Sequence, residues 1–133
     1  TSNATSISQM AAIEALRGPE TEVARMVVEF EKRRNYMVGE MRRLPGVTLV
    51  EPQGAFYVFP NCSAYYGKGA AAGKPKITDS WTLGDFLMDV AHVAVVPGAA
   101  FGNDRCIRLS YATSMEKLQA AVGRITKALA TLH

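Results

Sequence analysis

Arg108 is the residue best placed to do chemistry. It stands in the run Cys106-Ile107-Arg108-Leu109-Ser110-Tyr111, with an apolar residue on each side. A guanidinium in such a strand needs a partner, because an unpaired buried charge is very costly. Its planar fork matches a carboxylate through two parallel hydrogen bonds. The partner is either the carboxylate of a ligand or an Asp or Glu of the same chain, and the pattern alone leaves both open. Just upstream, Phe101-Gly102 lets an aromatic wall and bare backbone approach a small ligand.

Other reactive residue types point to no site. The histidines, His92 and His133, are far apart, and no HExxH or His/Cys cluster is present to bind zinc. His92 falls at an expected helix end, where a cation meets the helix dipole favourably. Cys62 and Cys106 make neither a disulfide framework nor a metal quartet, and read as small buried hydrophobes. No GxSxG elbow occurs. The stretch Gly67-Lys68-Gly69-Ala70-Ala71-Ala72-Gly73-Lys74 fails as GxGxxG at Ala72. As a phosphate loop it is one residue short, and Pro75 replaces the Ser or Thr. A solvated, flexible loop kept soluble by Lys68, Lys74 and Lys76 is the better reading.

The elements that must position Arg108 can be read from periodicity. Ile7, Met10, Ala11, Ile13 and Leu16 predict a helix over 6–17, stopped by Gly18-Pro19. A longer helix, about 20–43, carries Val23, Met26, Val27, Phe30, Met37 and Met41 and ends at Leu44-Pro45-Gly46. Val47–Glu51 and Ala55–Phe59 predict a hairpin around Pro52-Gln53-Gly54. The second strand is apolar throughout and is expected in a sheet covered on both faces. A loop over 61–79 leads to a helix over 80–91, capped by Asp79 or Ser80. Strands follow at Val93–Val96 and Cys106–Tyr111. In the last strand Ile107, Leu109 and Tyr111 face one side and Cys106, Arg108 and Ser110 the other. The final helix, about 114–131, has Thr113-Ser114-Met115-Glu116 as a capping box and Leu118, Val122, Ile125, Leu129 and Leu132 as its buried stripe. This order gives an α/β fold, with helices packed on a small mixed sheet.

Composition excludes several classes. At 133 residues the chain is one domain's worth, and 48% hydrophobic with 20% charged residues is the balance of a globular protein. The net charge of +3 is mild and dispersed, with Arg33-Arg34 and Arg42-Arg43 set among Glu29, Glu31 and Glu40. A nucleic-acid binder usually gathers its positive charge into a patch. No apolar run approaches a membrane span, and no signal peptide opens the chain, so a cytoplasmic setting is expected.

Four segments resemble one family. Pro52-Gln53-Gly54-Ala55-Phe56-Tyr57-Val58-Phe59-Pro60 resembles the "PxGAFYxFP" segment of class I (fold-type I) pyridoxal-phosphate aminotransferases. Val95-Val96-Pro97-Gly98-Ala99-Ala100-Phe101-Gly102 resembles their "xVPGxxFG" segment, and Cys106-Ile107-Arg108-Leu109-Ser110-Tyr111-Ala112 their "xxRxSYA" strand. The opening Thr1-Ser2-Asn3-Ala4-Thr5-Ser6 resembles their "TSNPTS" stretch, with Ala4 in place of the proline. The order and spacing are the family's, over essentially the whole chain. Ser63-Ala64-Tyr65-Tyr66-Gly67 with its long loop is most similar to bacterial and plant aspartate/prephenate aminotransferases.

The resemblance implies a fold and a division of labour. Residues 1–18 would be the tail end of the large cofactor domain, 19–45 the long interdomain helix, and 46–133 the small C-terminal domain. Arg108 would bind the substrate's α-carboxylate, Phe101 would line the same pocket, and Gly54 would lie near the entry. Ser2 and Asn3 would approach the cofactor phosphate across a homodimer. Substrates would be aspartate or glutamate and 2-oxo acids, with pyridoxal 5'-phosphate as cofactor. The family's cofactor lysine, in an S-x-x-K setting, is expected upstream. Lys32, Lys68, Lys74, Lys76, Lys117 and Lys127 do not supply it, so the chain alone is expected to be an inactive fragment. Two other readings are the sensing half of an aminotransferase-like transcription regulator and a stand-alone carboxylate-binding module.

Overall fold

A computed structural model describes residues 2–69 and 76–133. Helix α1, Ser6–Arg17, is capped by the Thr5 side chain, which accepts from the Ser8 N–H. Gly18 ends it, and α2 follows as Thr21–Arg43. Both helices lie where the apolar spacing puts them. The burial is not what that spacing suggests. Helix α1 buries no residue, and α2 buries only Met37, Val38 and Met41, near its C-terminal end.

The sheet has three short strands, β1 (Tyr57–Val58), β2 (Val96–Pro97) and β3 (Ile107–Ser110). Their order is β1-β3-β2, so the arginine strand lies in the centre. Both pairings are antiparallel, where the sequence suggests a mixed sheet. The α/β class itself stands.

The expected hairpin does not form. Thr48 makes an isolated bridge to Asn61, and Val50 is 89% exposed. The cause lies in the turn. Ala55 takes a left-handed backbone with φ 58°, which an extended strand cannot contain. The pairing therefore begins only at Tyr57. Tyr111 secures the turn, its N–H donating to Phe56 O at 2.8 Å and its hydroxyl to Ala55 O at 3.1 Å. Nor is this strand covered on both faces. Val58 is buried, whereas Tyr57 and Phe59 are half-buried on the opposite face.

Helix α3, Ser80–Phe86, starts with a true capping box between Asp79 and Thr82. It continues as a π-turn, Leu87–Ala91, closed by His92 in the left-handed conformation at φ 52°. His92 thus does its structural work through its backbone. The ladder of β2 begins at Val96, later than expected. Val93 before it is buried, with its N–H on Leu87 O at 3.2 Å.

Helix α4, Met115–Leu129, is capped by Ser114, whose side chain accepts from the Lys117 N–H. The cap is one residue later than a Thr113–Glu116 box requires. Leu118, Val122, Ile125, Leu129 and Leu132 are all buried, as their spacing predicts. They join Val58, Leu83, Leu87, Ile107, Leu109 and Tyr111 in one core. The glycine-rich stretch lies outside the described residues from Ala70 to Lys74. Its leading edge is fastened, with Gly67 N–H donating to Ile77 O at 2.7 Å and Ile77 N–H to Lys68 O at 2.9 Å.

Candidate functional site

Register places the site on the face of the sheet away from the core. Side chains alternate along β3, so Ile107 and Leu109 enter the core and Arg108 projects to the other face. Tyr57 pairs with Ser110 and Val96 with Arg108, which puts these four residues on one surface. Cys106 departs from that alternation and is buried.

Aromatic rings hold the guanidinium. Arg108 Cζ lies over the Tyr57 ring at 4.4 Å from its centroid and over the Phe101 ring at 4.3 Å. Phe59 meets Phe101 edge to face, with centroids 6.1 Å apart. Each cation–π contact contributes about 0.5–2 kcal/mol, more where water is excluded. Ring faces do not satisfy N–H donors, however. Among the described residues, Arg108 makes no ion pair; the five ion pairs all join other residues. Four of those five are helix pairs three residues apart, on α2. The internal partner left open by the sequence is therefore not found. The guanidinium is fixed in place with its donors available to a carboxylate from outside the described residues.

The other expected site residues divide. Phe101 joins Arg108. Gly54 instead lines a hollow of about 480 Å³ against α2, with Val27, Phe30 and Tyr111. Ser2 and Asn3 precede α1, are exposed, and make no side-chain hydrogen bond among the described residues. Tyr57 is a further partner of Arg108, beyond those its motifs single out. Its signal was available: Tyr57 and Phe59 alternate with Val58, so they share a face.

The cysteines are inert. Both are free and buried. Burial pushes the Cys62 thiol up to about 12, with Cys106 nearby adding to the effect. Tyr66 is also pushed upward, by burial and by the Asp104 carboxylate, and so remains a hydrogen-bond donor.

The described lysines do not fit an aldehyde cofactor. Lys32 pairs with Glu29 at 2.8 Å on α2, and Lys68 lies over the Tyr65 ring. Lys76, Lys117 and Lys127 are exposed. Lys117 does follow a serine in S-x-x-K spacing, but Ser114 is the cap of α4 and Lys117 stands on that helix. Lys74 lies outside the described residues. No group of three or more His, Cys, Asp or Glu residues that could hold a metal occurs among the described residues. No described helix is long and apolar enough to cross a membrane.

An antiparallel sheet backed by helices, with an aromatic-held arginine on its open face, defines an α/β domain of the kind found in fold-type I aminotransferases. The aspartate aminotransferase of Rhizobium meliloti superposes with a TM-score of 0.94 at 38% identity, over 100% of this chain and 33% of that one. An aromatic aminotransferase from Pyrococcus horikoshii gives 0.79 at 33% identity, over 92% of this chain and 30% of its own. The family model for aminotransferase class I and II matches residues 1–125, and the chain belongs to that family. It is 51% identical to the bifunctional aspartate aminotransferase and glutamate/aspartate-prephenate aminotransferase of Petunia hybrida, over 99% of this chain. It is 44% identical to a probable aspartate/prephenate aminotransferase of Aquifex aeolicus, over 96% of this chain. The chain spans only 28% and 31% of those two relatives. These relatives do not favour the regulator or stand-alone-module readings.

Proposed function

We propose that these residues form the substrate-carboxylate end of a pyridoxal-phosphate aminotransferase that moves an amino group between aspartate or glutamate and a 2-oxo acid. The observation that carries this reading is Arg108, stacked on Tyr57 and Phe101 and without an ion-pair partner among the described residues. In it, the Arg108 fork takes the α-carboxylate through two N–H donors, and the rings keep the fork from swinging. Phe101 walls the pocket and limits water on one side of the bound carboxylate. Pyridoxal phosphate, when bound, supplies an electron sink for the amino acid's α-carbon. None of the described lysines stands in a setting that would hold it, so no step of amino transfer is assigned to these residues.

The division into 1–18 as the tail of the large domain, 19–45 as the interdomain helix and 46–133 as the small domain belongs to the same proposal. So do Gly54 at the entry, Ser2 and Asn3 near the cofactor phosphate, a homodimer, and a cytoplasmic setting. The match to about a third of each relative supports it.

The test uses the complete aminotransferase polypeptide that carries these residues. Arg108→Lys should raise the KM for aspartate by about 10–100-fold, because an ammonium cannot form the two-pronged bond. The 133-residue chain with added pyridoxal phosphate should show no transamination. An unchanged KM in the lysine variant would overturn the role of Arg108, and turnover by the short chain would overturn its dependence on the rest.

A further inference from the structure

Phe101 has little to hold its position except the backbone that carries it. It is exposed, and the aromatic contacts of its ring are to Arg108 and, in a T-shaped pair, to Phe59. The turn from Gly98 to Cys106 must therefore fix it. Within the turn, Gly98 N–H donates to Cys106 O at 2.8 Å and Asn103 N–H to Gly98 O at 3.1 Å. A Cβ on Gly98 would meet Cys106 O at 2.2 Å and Asn103 O at 2.3 Å, so no wider residue fits there.

The turn is also fastened from outside, by one buried hydroxyl. Ser80, the first residue of α3, is the single fully enclosed polar side chain in the described core. Its hydroxyl donates to Asp104 Oδ1 at 2.6 Å and accepts from the Ala99 N–H at 3.1 Å. Its own N–H donates to the same Asp104 oxygen at 3.0 Å. Ala99 and Asp104 bracket Phe101 along the chain, so Ser80 ties both limbs of the turn to α3. Tyr66 adds a third anchor by donating to the Asp104 carbonyl.

We propose that Ser80 and Asp104 are positioning residues that set the affinity of the Arg108 site by holding Phe101 over the guanidinium. Neither touches Arg108; both act through Phe101. The inference rests on Arg108 being the carboxylate site. It predicts that loosening the turn weakens carboxylate binding more than it slows turnover, because the fork stays but loses one of the rings that aim it.

The experiment is a binding cycle in the complete, cofactor-loaded aminotransferase. The probe is succinate, a dicarboxylate with no amino group to transfer. Ser80→Ala and Asp104→Ala should each weaken succinate about tenfold and raise the KM for aspartate to a similar extent, with kcat changed less than about threefold. Asp104→Asn keeps the accepting oxygen and should stay within about threefold of the parent. On a Phe101→Ala background, Ser80→Ala should add less than about twofold, since its effect passes through that ring. A full Ser80→Ala effect on that background overturns the proposal. So does succinate affinity within about twofold of the parent in both alanine variants while Phe101→Ala and Arg108→Lys are weakened. If Arg108→Lys and Phe101→Ala also leave succinate binding unchanged, the carboxylate-site reading has failed instead, and the positioning role fails with it. Should Ser80→Ala not fold, exposed Asp104 carries the same test.

Discussion

Helices α1 and α4 carry the same kind of apolar stripe and meet opposite fates. On α1, Ile7 is 82% and Leu16 87% exposed; on α4, Leu118 is 3% and Ile125 1% exposed. The spacing of three and four residues specifies a helix in both cases. It does not specify what lies against the stripe. Helix α4 packs against α2 and the π-turn, whereas α1 and the first half of α2 leave Val23, Met26, Val27 and Val28 open as well. The two consecutive helices thus leave apolar side chains uncovered where α4 leaves none of its stripe open.

That contrast can be broken at several points. The largest effect is expected in the core. Ile125→Ala or Leu83→Ala should cost about 2–5 kcal/mol by urea unfolding, since each leaves a cavity in packed surroundings. A cost below about 1 kcal/mol would mean that the core is looser than its burial suggests. Next comes pH. The Cys62 thiol lies at about 12 when folded against an ordinary 9.0. The unfolded chain therefore loses that proton first, and stability present below pH 9 should fall as pH rises toward 12. Cys62→Ala should flatten this decline in urea midpoints measured from neutral to alkaline pH. Smaller still are the caps. Ser114→Ala should cost about 1 kcal/mol, because α4 folds with the core. Thr5→Ala removes the cap of a helix that buries nothing and should leave the unfolding midpoint where it was. Leu16→Lys, on the same uncovered helix, is likewise expected within about 0.5 kcal/mol of the parent. A large destabilisation there would show that α1 is covered in solution.

Legibility in the sequence followed the range of the forces involved. All four helices were readable, because periodicity and proline stops act within a few residues, although the cap of α4 falls at Ser114, one residue beyond the expected box. The strands were less so. Ala55 takes a left-handed backbone that its residue type does not advertise, and this erased the expected hairpin. The extended run Val93–Val96 pairs only where Arg108 stands opposite. Arg108 and Phe101 were readable as a pair from their types and motifs. Tyr57 was readable in principle from alternation, but its place beside Arg108 depends on a register between segments fifty residues apart. The Ser80–Asp104 tie was not readable, because a serine at a helix start signals a cap first. Here Asp79 is the cap, which leaves Ser80 free for the turn.

The residue beside Ser80 adds an optical consequence. Trp81 is the single tryptophan in these 133 residues, and it stands 55% exposed at the start of α3. Its indole looks into water while its backbone belongs to the segment that ties down the Phe101 turn. The emission of this chain should therefore sit toward long wavelengths and report that one place. Anything that seats against the start of α3, or pulls it from the turn, will change the colour of the light without any label being attached.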